Sequence, residues 1–165
     1  MNNSRSYKKV RHRIILCCFS LVCFCLILGI VQFICSFQIV RNYIDCRYNF
    51  TSSNIEEQFA KRYSLFSDDL YRTIDIDEQN KTKETIKSMN LTSKVVTTEL
   101  LDIDLSITTH TYTLYLKAGY YSDSVLTNPY DYEFTITLTQ QKPFIFKIAN
   151  VELIEHDSNH ADHVH

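Results

Sequence analysis

The chain has 165 residues, which allows one ordinary domain and one further element, and a formal net charge of -2 at pH 7. This balance excludes the strongly basic surface of a typical nucleic-acid-binding protein, and we predict no direct sequence-specific binding of nucleic acid. The two glycines, Gly29 and Gly119, lie far apart, which excludes glycine-rich phosphate-binding loops and strained nucleophile elbows.

The N-terminal region combines positive charge with a long apolar run. Residues 1–13 form a basic stub, and no residue is charged from position 14 to position 40. About 20 apolar residues are enough to cross the hydrocarbon core of a bilayer. We predict a single transmembrane helix over residues 14–40. Positive charge is concentrated before this span, so the N-terminus is expected in the cytoplasm and the rest of the chain outside it.

The cysteines fall mostly inside the apolar run. A zinc site needs paired ligands in polar surroundings, whereas these thiols lie among Leu, Ile, Phe and Val, where cysteine behaves as a small hydrophobic residue. A cleaved signal peptide is disfavoured because its apolar core is shorter and ends in a small-residue cleavage site. We favour a retained anchor, in which the Cys17-Cys18 pair serves helix packing or, alternatively, palmitoylation. The cysteines of the run are Cys17, Cys18, Cys23, Cys25 and Cys35.

Residues 41–52 are expected to be a linker to an extracytoplasmic α+β domain over residues 53–155. Ser53 with Glu56, or Asn54 with Glu57, would make a capping box at the start of a helix. Apolar side chains then recur every three or four positions, which predicts one amphipathic helix of about twenty residues. These positions are Ile55, Phe59, Tyr63, Phe66, Leu70 and Ile74. Residues 75–90 are polar and predict a loop followed by a short helix.

Beyond Lys94 the apolar period falls to two, which predicts β-strands. Short connections expected at residues 108–110 and 140–143, with a longer one at 122–131, favour four antiparallel strands. The pattern resumes out of phase near Ala149 and Asn150, which predicts a bulge in a curved sheet. The predicted fold is an amphipathic helix on a curved four-stranded antiparallel sheet. Its alternating apolar positions are Leu101, Ile103, Leu105, Ile107, Tyr112, Leu114, Leu116, Phe134, Ile136, Leu138, Phe144, Phe146 and Ile148.

Several polar groups are candidates for chemistry, and a structural role is favoured for each. Asp102 and Asp104 share a strand face that is expected to be solvated. The sequence places His110 in a turn and nominates no serine partner for it. The Asp75 region lacks the glycine and the spacing of a calcium loop. We therefore predict no catalytic, cofactor-binding or metal-binding residues and no enzymatic activity.

Two further clusters leave alternatives open. Four tyrosines around residues 120–132 are typical of a protein contact or of an aromatic cap at the end of a sheet. Residues 156–165 are expected to form a flexible tail, although histidines at this density can bind zinc or copper when they are gathered around an ion. The tyrosines are Tyr120, Tyr121, Tyr130 and Tyr132, and the histidines are His156, His160, His163 and His165.

The order of basic stub, membrane helix, amphipathic helix and curved sheet, over about Arg5 to Glu155, resembles the VirB-eight family. These proteins are inner-membrane assembly subunits of type IV secretion and conjugation machines. The Asn-Pro-x-Gly turn of that family would fall near Pro143, with Lys142 before it and Ile145 in place of the glycine.

This resemblance implies a nuclear-transport-factor-two-like or cystatin-like domain and a non-enzymatic scaffold for channel components. The implied partners are the membrane, other membrane or secretion-channel proteins, and further copies of the chain. The alternative is a membrane-tethered domain of the same fold that binds a small ligand or acts in adhesion or immunity. The assignable inward positions are Ile, Leu, Phe and Tyr, which favours packing over catalysis.

Overall fold

A computed structural model of the chain describes residues 3–122 and 125–156. It contains four helices, α1 (Asn3–Tyr48), α2 (Ile55–Ser64), α3 (Asp68–Arg72) and α4 (Ile76–Ser88), within that described part. The strands are β1 (Leu91–Leu105), β2 (Thr109–Ser122), β3 (Val125–Lys142) and β4 (Ile145–His156). The chain divides into two compact units, Met1–Cys35 and Ser36–His165.

The first unit contains the basic start of α1 and the apolar stretch that follows it. This helix is long and apolar enough to cross a membrane, and its most apolar stretch has no buried residue. Large side chains such as Leu16, Phe19 and Leu26 are all more than half exposed, as expected of a surface that faces lipid rather than a protein core. The helix is therefore a possible membrane anchor.

The predicted linker over residues 41–52 is wrong for most of its length, because α1 continues to Tyr48. Within the second unit, Ser36, Val40 and Tyr43 are buried, and the Tyr48 ring lies 5.2 Å from the ring of Tyr132 in β3. The end of α1 is thus a core helix of the folded unit, which begins at Ser36 and not at residue 53. The remaining apolar residues, 14–35, still meet the length of about 20 residues that a membrane span requires.

The predicted helix of twenty residues is interrupted between α2 and α3. The backbone N–H of Ser67 donates to the carbonyl of Ile148 in β4 at 2.8 Å, and the N–H of Ile148 donates to the carbonyl of Leu65 at 2.9 Å. This short strand-like contact replaces helical hydrogen bonds. The hydroxyl of Ser67 then accepts from the N–H of Leu70 and caps α3.

The capping box predicted for α2 does not form. Asn54 is the N-cap residue, but its side chain accepts from the N–H of Thr51 and makes no capping hydrogen bond. Neither glutamate of the motif closes the box in the structure, since Glu57 pairs with Lys61 and Glu56 pairs with lysines of α4. The N-terminus of α2 is stabilised instead by the negative charge of its first turn.

The four strands form one antiparallel sheet in the order β1-β2-β3-β4, which confirms the predicted topology. Thr137 pairs with Asn150 while Leu138 pairs with Ile148, so Ala149 is the extra residue of a bulge at the predicted place. The long connection expected at residues 122–131 is wrong, because β2 reaches Ser122 and β3 begins at Val125.

One face of the sheet and the helices of the second unit enclose the core. The alternating residues of β2, β3 and β4 are buried as predicted, whereas Leu101, Leu105 and Ile107 in and after β1 are exposed. Phe144, which was predicted to point inward, is also exposed, because it lies in the turn before β4. The end of β1 is an edge that no other element of the described chain covers. The buried apolar residues of the strands are Tyr112, Leu114, Leu116, Ala118, Tyr132, Phe134, Ile136, Leu138, Phe146 and Ile148.

Candidate functional site

A cavity of about 630 Å³ lies between the helices and the sheet of the second unit. Small-molecule sites typically measure about 300–1,000 Å³. Residues of α1, α2, α4 and all four strands contribute to its walls. The lining comprises Arg47, Tyr48, Phe50, Phe59, Arg62, Glu78, Gln79, Lys81, Thr82, Thr85, Ile86, Leu91, Tyr120, Tyr132 and Leu153.

Aromatic rings form much of the wall. The ring centroid of Phe50 lies 6.3 Å from that of Tyr120, and the hydroxyl oxygens of Tyr120 and Tyr132 are 3.4 Å apart. The Tyr48 ring packs against that of Tyr132 at a tilt of 40°. Two of the four clustered tyrosines noted in the sequence therefore line this cavity, while the side chain of Tyr130 lies outside the described part. This favours the sheet-end interpretation of the cluster for Tyr120 and Tyr132.

Arg47 enters the cavity wall from the end of α1. Its Nε donates to the hydroxyl of Tyr48 and its Nη1 donates to the hydroxyl of Tyr43, each at 3.1 Å. Its guanidinium also lies 5.5 Å from the ring centroid of Tyr48. All these partners are neutral. Among the side chains that the structure describes, none forms an ion pair with Arg47.

Arg62 on α2 is more deeply buried, with 8% of its surface exposed. Its Nη2 donates to Oε1 of Gln79 in α4 at 2.7 Å, and its guanidinium carbon lies 4.1 Å from the ring centroid of Phe59. Its Nε has no hydrogen-bond partner. Burial lowers the pKa of Arg62, and the nearby charge of Arg47 lowers it further, but an arginine side chain stays protonated in proteins.

The cavity therefore carries positive charge with little compensation. Its acidic lining residue, Glu78, is solvent-exposed at the start of α4, as is Lys81 one turn later. Glu56 forms its ion pairs with Lys83 and Lys87 and is not among the lining residues. A buried charge is costly unless it is paired and hydrogen-bonded. The arrangement can attract an anion, since Arg62 still has an N–H to donate.

A second polar cluster lies beneath the end of α1. Nδ1 of His110 lies 2.7 Å from Oγ of Ser36, and that oxygen lies 2.6 Å from the hydroxyl of Tyr112. The His110 ring also packs against Phe146, with 4.6 Å between the ring centroids. The sequence placed His110 in a turn, which is wrong: it is the second residue of β2 and is buried.

The structure gives His110 the serine neighbour that the sequence did not nominate. Ser36 has no solvent exposure, so no substrate can reach its hydroxyl without local unfolding. No ion pair of His110 is found in the described ranges, so the carboxylate that orients the base in a catalytic triad has no counterpart there. The chemistry available to this cluster is to satisfy buried polar groups and to fix α1 on the sheet.

Burial lowers the pKa of His110, while a hydrogen bond that its ring donates to the backbone of Ser106 opposes the shift. A histidine with a lower pKa in the folded state contributes stability above its unfolded pKa of about 6.5, and this contribution is lost as the pH falls below that value. We therefore expect the unfolding midpoint of the full-length chain in detergent to fall with acidification, as measured by urea titration at several pH values.

The variant His110→Gln should reduce the slope of that pH dependence, because it removes the buried titrating group. His12→Gln is the matched control, since His12 is exposed on α1, and it should leave the slope unchanged. Equal slopes for both variants would show that His110 does not contribute to the pH dependence.

The other polar candidates do not gather into a site. Asp102 and Asp104 are exposed on β1, as expected. Asp75 is the N-cap of α4, where its Oδ1 accepts from the N–H of Asp77 at 3.0 Å and of Glu78 at 3.1 Å. In the described residues no group of three or more His, Cys, Asp or Glu side chains could hold a metal ion. The histidines after position 156 lie outside the described residues.

Sequence reasoning missed the two arginines of the cavity. A usable signal existed for Arg62, which follows Phe59 by three residues and so lies on the apolar face of α2. A charged residue on a buried helical face is unusual unless it has a partner or a ligand. Arg47 carried no such signal, because the end of α1 was expected to be a linker.

The fold is shared with solved structures. No protein-family model matches the sequence, and no curated protein matches it. An IcmL-like type IV secretion system protein from Legionella pneumophila superimposes with a TM-score of 0.53 at 14% identity, over 72% of this chain and 89% of the other. The periplasmic domain of DotI gives 0.53 at 13% identity, over 70% of this chain and 90% of the other.

A periplasmic fragment of TraM has a TM-score of 0.51 at 17% identity and covers 74% of this chain and 96% of its own. At these identities the likeness shows a common fold. It confirms the α+β architecture that the resemblance to type IV secretion subunits implied.

Proposed function

We propose that this protein is a membrane-anchored, non-enzymatic assembly component of a type IV secretion or conjugative DNA-transfer channel, with a role like that of the VirB-eight family. The observation that carries the proposal is the common fold with an IcmL-like type IV secretion system protein, which extends over 89% of that chain. The likeness to the periplasmic domain of DotI and to a periplasmic fragment of TraM supports the same proposal.

The location follows from the N-terminal segment. The apolar part of α1 serves as a single-pass anchor, and the basic stub before it stays in the cytoplasm. The unit Ser36–His165 then lies outside the cytoplasm. Its fold corresponds in this proposal to the nuclear-transport-factor-two-like domain of the VirB-eight family, and its task is to hold channel components together.

The chemistry of the described residues supports a scaffold rather than an enzyme. The serine that contacts His110 is buried, and the paired aspartates of β1 are solvated. General acid-base or nucleophilic catalysis requires groups that reach a substrate.

A surface for protein contact is available at the edge of the sheet. The second half of β1 exposes apolar side chains, among them Leu101 with 52% of its surface exposed. An exposed apolar edge strand readily pairs with another chain. Channel subunits, including further copies of this chain, are the partners that a scaffold would engage there.

Photo-crosslinking in living cells tests the proposed role. Benzoylphenylalanine in place of Leu101 should yield crosslinks to membrane proteins of a secretion channel, identified by mass spectrometry. The same residue in place of Asp69, whose side chain is 96% exposed on α3, serves as the control and should give at least about tenfold less product. The proposal fails if Leu101 crosslinks to no channel protein, or if only a small molecule accompanies the purified protein.

A further inference from the structure

The cavity between α2, α4 and the sheet has an unusual combination of charge and apolar surface. Two buried or largely buried arginines line it, and no carboxylate of the described chain forms an ion pair with either. Around them stand the rings of Tyr48, Phe59 and Tyr132. Such surroundings strengthen the attraction between a guanidinium and an anion, because little water screens it.

The guanidinium of Arg62 is held in place by its neighbours, and its Nε–H remains available as a hydrogen-bond donor. Gln79 fixes Nη2, and the Phe59 ring supports the face of the guanidinium. Nε has no hydrogen-bond partner of good geometry, although only 8% of the surface of Arg62 is exposed. The neighbouring Tyr63 hydroxyl, which raises the pKa of Arg62, is likewise buried without a partner. A buried donor without an acceptor costs free energy. An acceptor supplied by a ligand would remove that cost.

We propose that the cavity binds a small organic carboxylate, whose oxygen accepts from Nε of Arg62 and whose flat apolar body lies among the aromatic rings. A guanidinium matches the geometry of a carboxylate, and aromatic walls bind a flat apolar body well. The volume of about 630 Å³ suits a ligand of one or two fused rings.

The charges at the rim agree with this assignment. Glu78 is the acidic residue of the lining, and it is exposed beside the exposed Lys81. Exposed charges are screened by water and salt, so the buried cations dominate the field inside the cavity. A neutral ligand of the same shape lacks the negative charge that these cations attract, even where its oxygen accepts from Nε of Arg62. The site therefore discriminates by charge.

This binding site goes beyond the assembly role and does not depend on it. The cavity can bind a ligand whether or not the protein also assembles a secretion channel. Crosslinking at Leu101 reports on the first proposal, and ligand binding at Arg62 reports on the second. The two can fail separately.

The test uses the full-length chain in lipid nanodiscs and isothermal titration calorimetry, with the heat from empty nanodiscs subtracted. The probes are 1-naphthoate and the neutral 1-naphthalenemethanol. We expect naphthoate to bind at least about tenfold more tightly, because its carboxylate adds attraction between opposite charges to the hydrogen bond that either probe can accept from the guanidinium. Equal affinity of the two probes would overturn the proposal.

Arg62→Gln should weaken naphthoate binding by about tenfold or more and should weaken binding of the neutral probe much less, because only naphthoate also loses its attraction to the charge of Arg62. Arg72→Gln is the matched control, because the Arg72 side chain is 76% exposed and pairs with Asp69. It should retain the affinity of the unmodified chain. Equal naphthoate affinities for the two variants would overturn the assignment of Arg62.

A rim variant keeps the test decisive if Arg62→Gln does not fold. Thr82 is an exposed residue of α4 that lines the cavity, so Thr82→Trp should fold and should obstruct the cavity. We expect it to weaken naphthoate binding several-fold with an unchanged unfolding midpoint. Unimpaired binding in this folded variant would place the ligand elsewhere and overturn the proposal.

Discussion

Leu116→Ala should lower the free energy of unfolding by about 2–5 kcal/mol, the usual range for a leucine removed from a tightly packed core. Leu116 has no solvent exposure and lies in the central strand β2, where it pairs with Thr98 of β1 and Tyr132 of β3. Domains are commonly stable by only about 5–15 kcal/mol. Urea unfolding of the full-length chain, followed by circular dichroism, measures the loss.

Leu101→Ala provides the matched comparison for this core substitution. Leu101 lies on β1 with half of its surface exposed, so truncation creates no cavity and should change stability by less than about 0.5 kcal/mol. If both leucine variants lost similar stability, the core would not lie on the face of the sheet that holds Leu116.

The sheet could be predicted because its signal is local. Alternation with a period of two marks each strand, and the connections between strands are short. The bulge at Ala149 could also be predicted, since an extra residue moves every later side chain to the opposite face and so shifts the phase of the apolar alternation. The exposed half of β1 could not be predicted. A bulge leaves Leu101 without a partner in β2, and the alternation at Leu105 looks the same with or without a covering element.

The bounds of the helices were predicted wrongly because contacts between residues distant in sequence determine them. The periodic pattern continues through Leu65 and Ser67, yet hydrogen bonds to Ile148, more than 80 positions later, break the helix there. The same holds for the contact of Ser36 with His110, which are 74 positions apart. No local pattern encodes such a pairing, so the polar cluster beneath α1 could not be found from the sequence.

In α1, a stretch buried in the protein core directly follows a stretch suited to lipid, and the two have the same apolar sequence pattern. Val40 and Tyr43 belong to a core helix, whereas residues 14–35 are suited to lipid, and both stretches are apolar. From hydropathy alone, the first part of the core helix was predicted as the end of the membrane span over residues 14–40. The rest of the core helix was predicted as part of the linker over residues 41–52. Burial by the sheet separates the two functions at Ser36.

We expect the unit Ser36–His165 to lie outside the cytoplasm and the basic stub to lie inside. The physical reason is the excess of positive charge before the apolar run, which resists translocation. A topology reporter should therefore place the unit almost entirely on one side of the membrane, because a folded domain does not cross a bilayer after insertion.

Cysteine labelling on protoplasts or spheroplasts tests this placement most directly. Two variants are made in a chain whose native cysteines are replaced by alanine: Asp69→Cys, at an exposed position of α3, and Lys9→Cys, in the basic stub. With a membrane-impermeant maleimide, Asp69→Cys should be labelled before lysis and Lys9→Cys only after lysis. Labelling of Asp69→Cys only after lysis would contradict an anchored domain outside the cytoplasm.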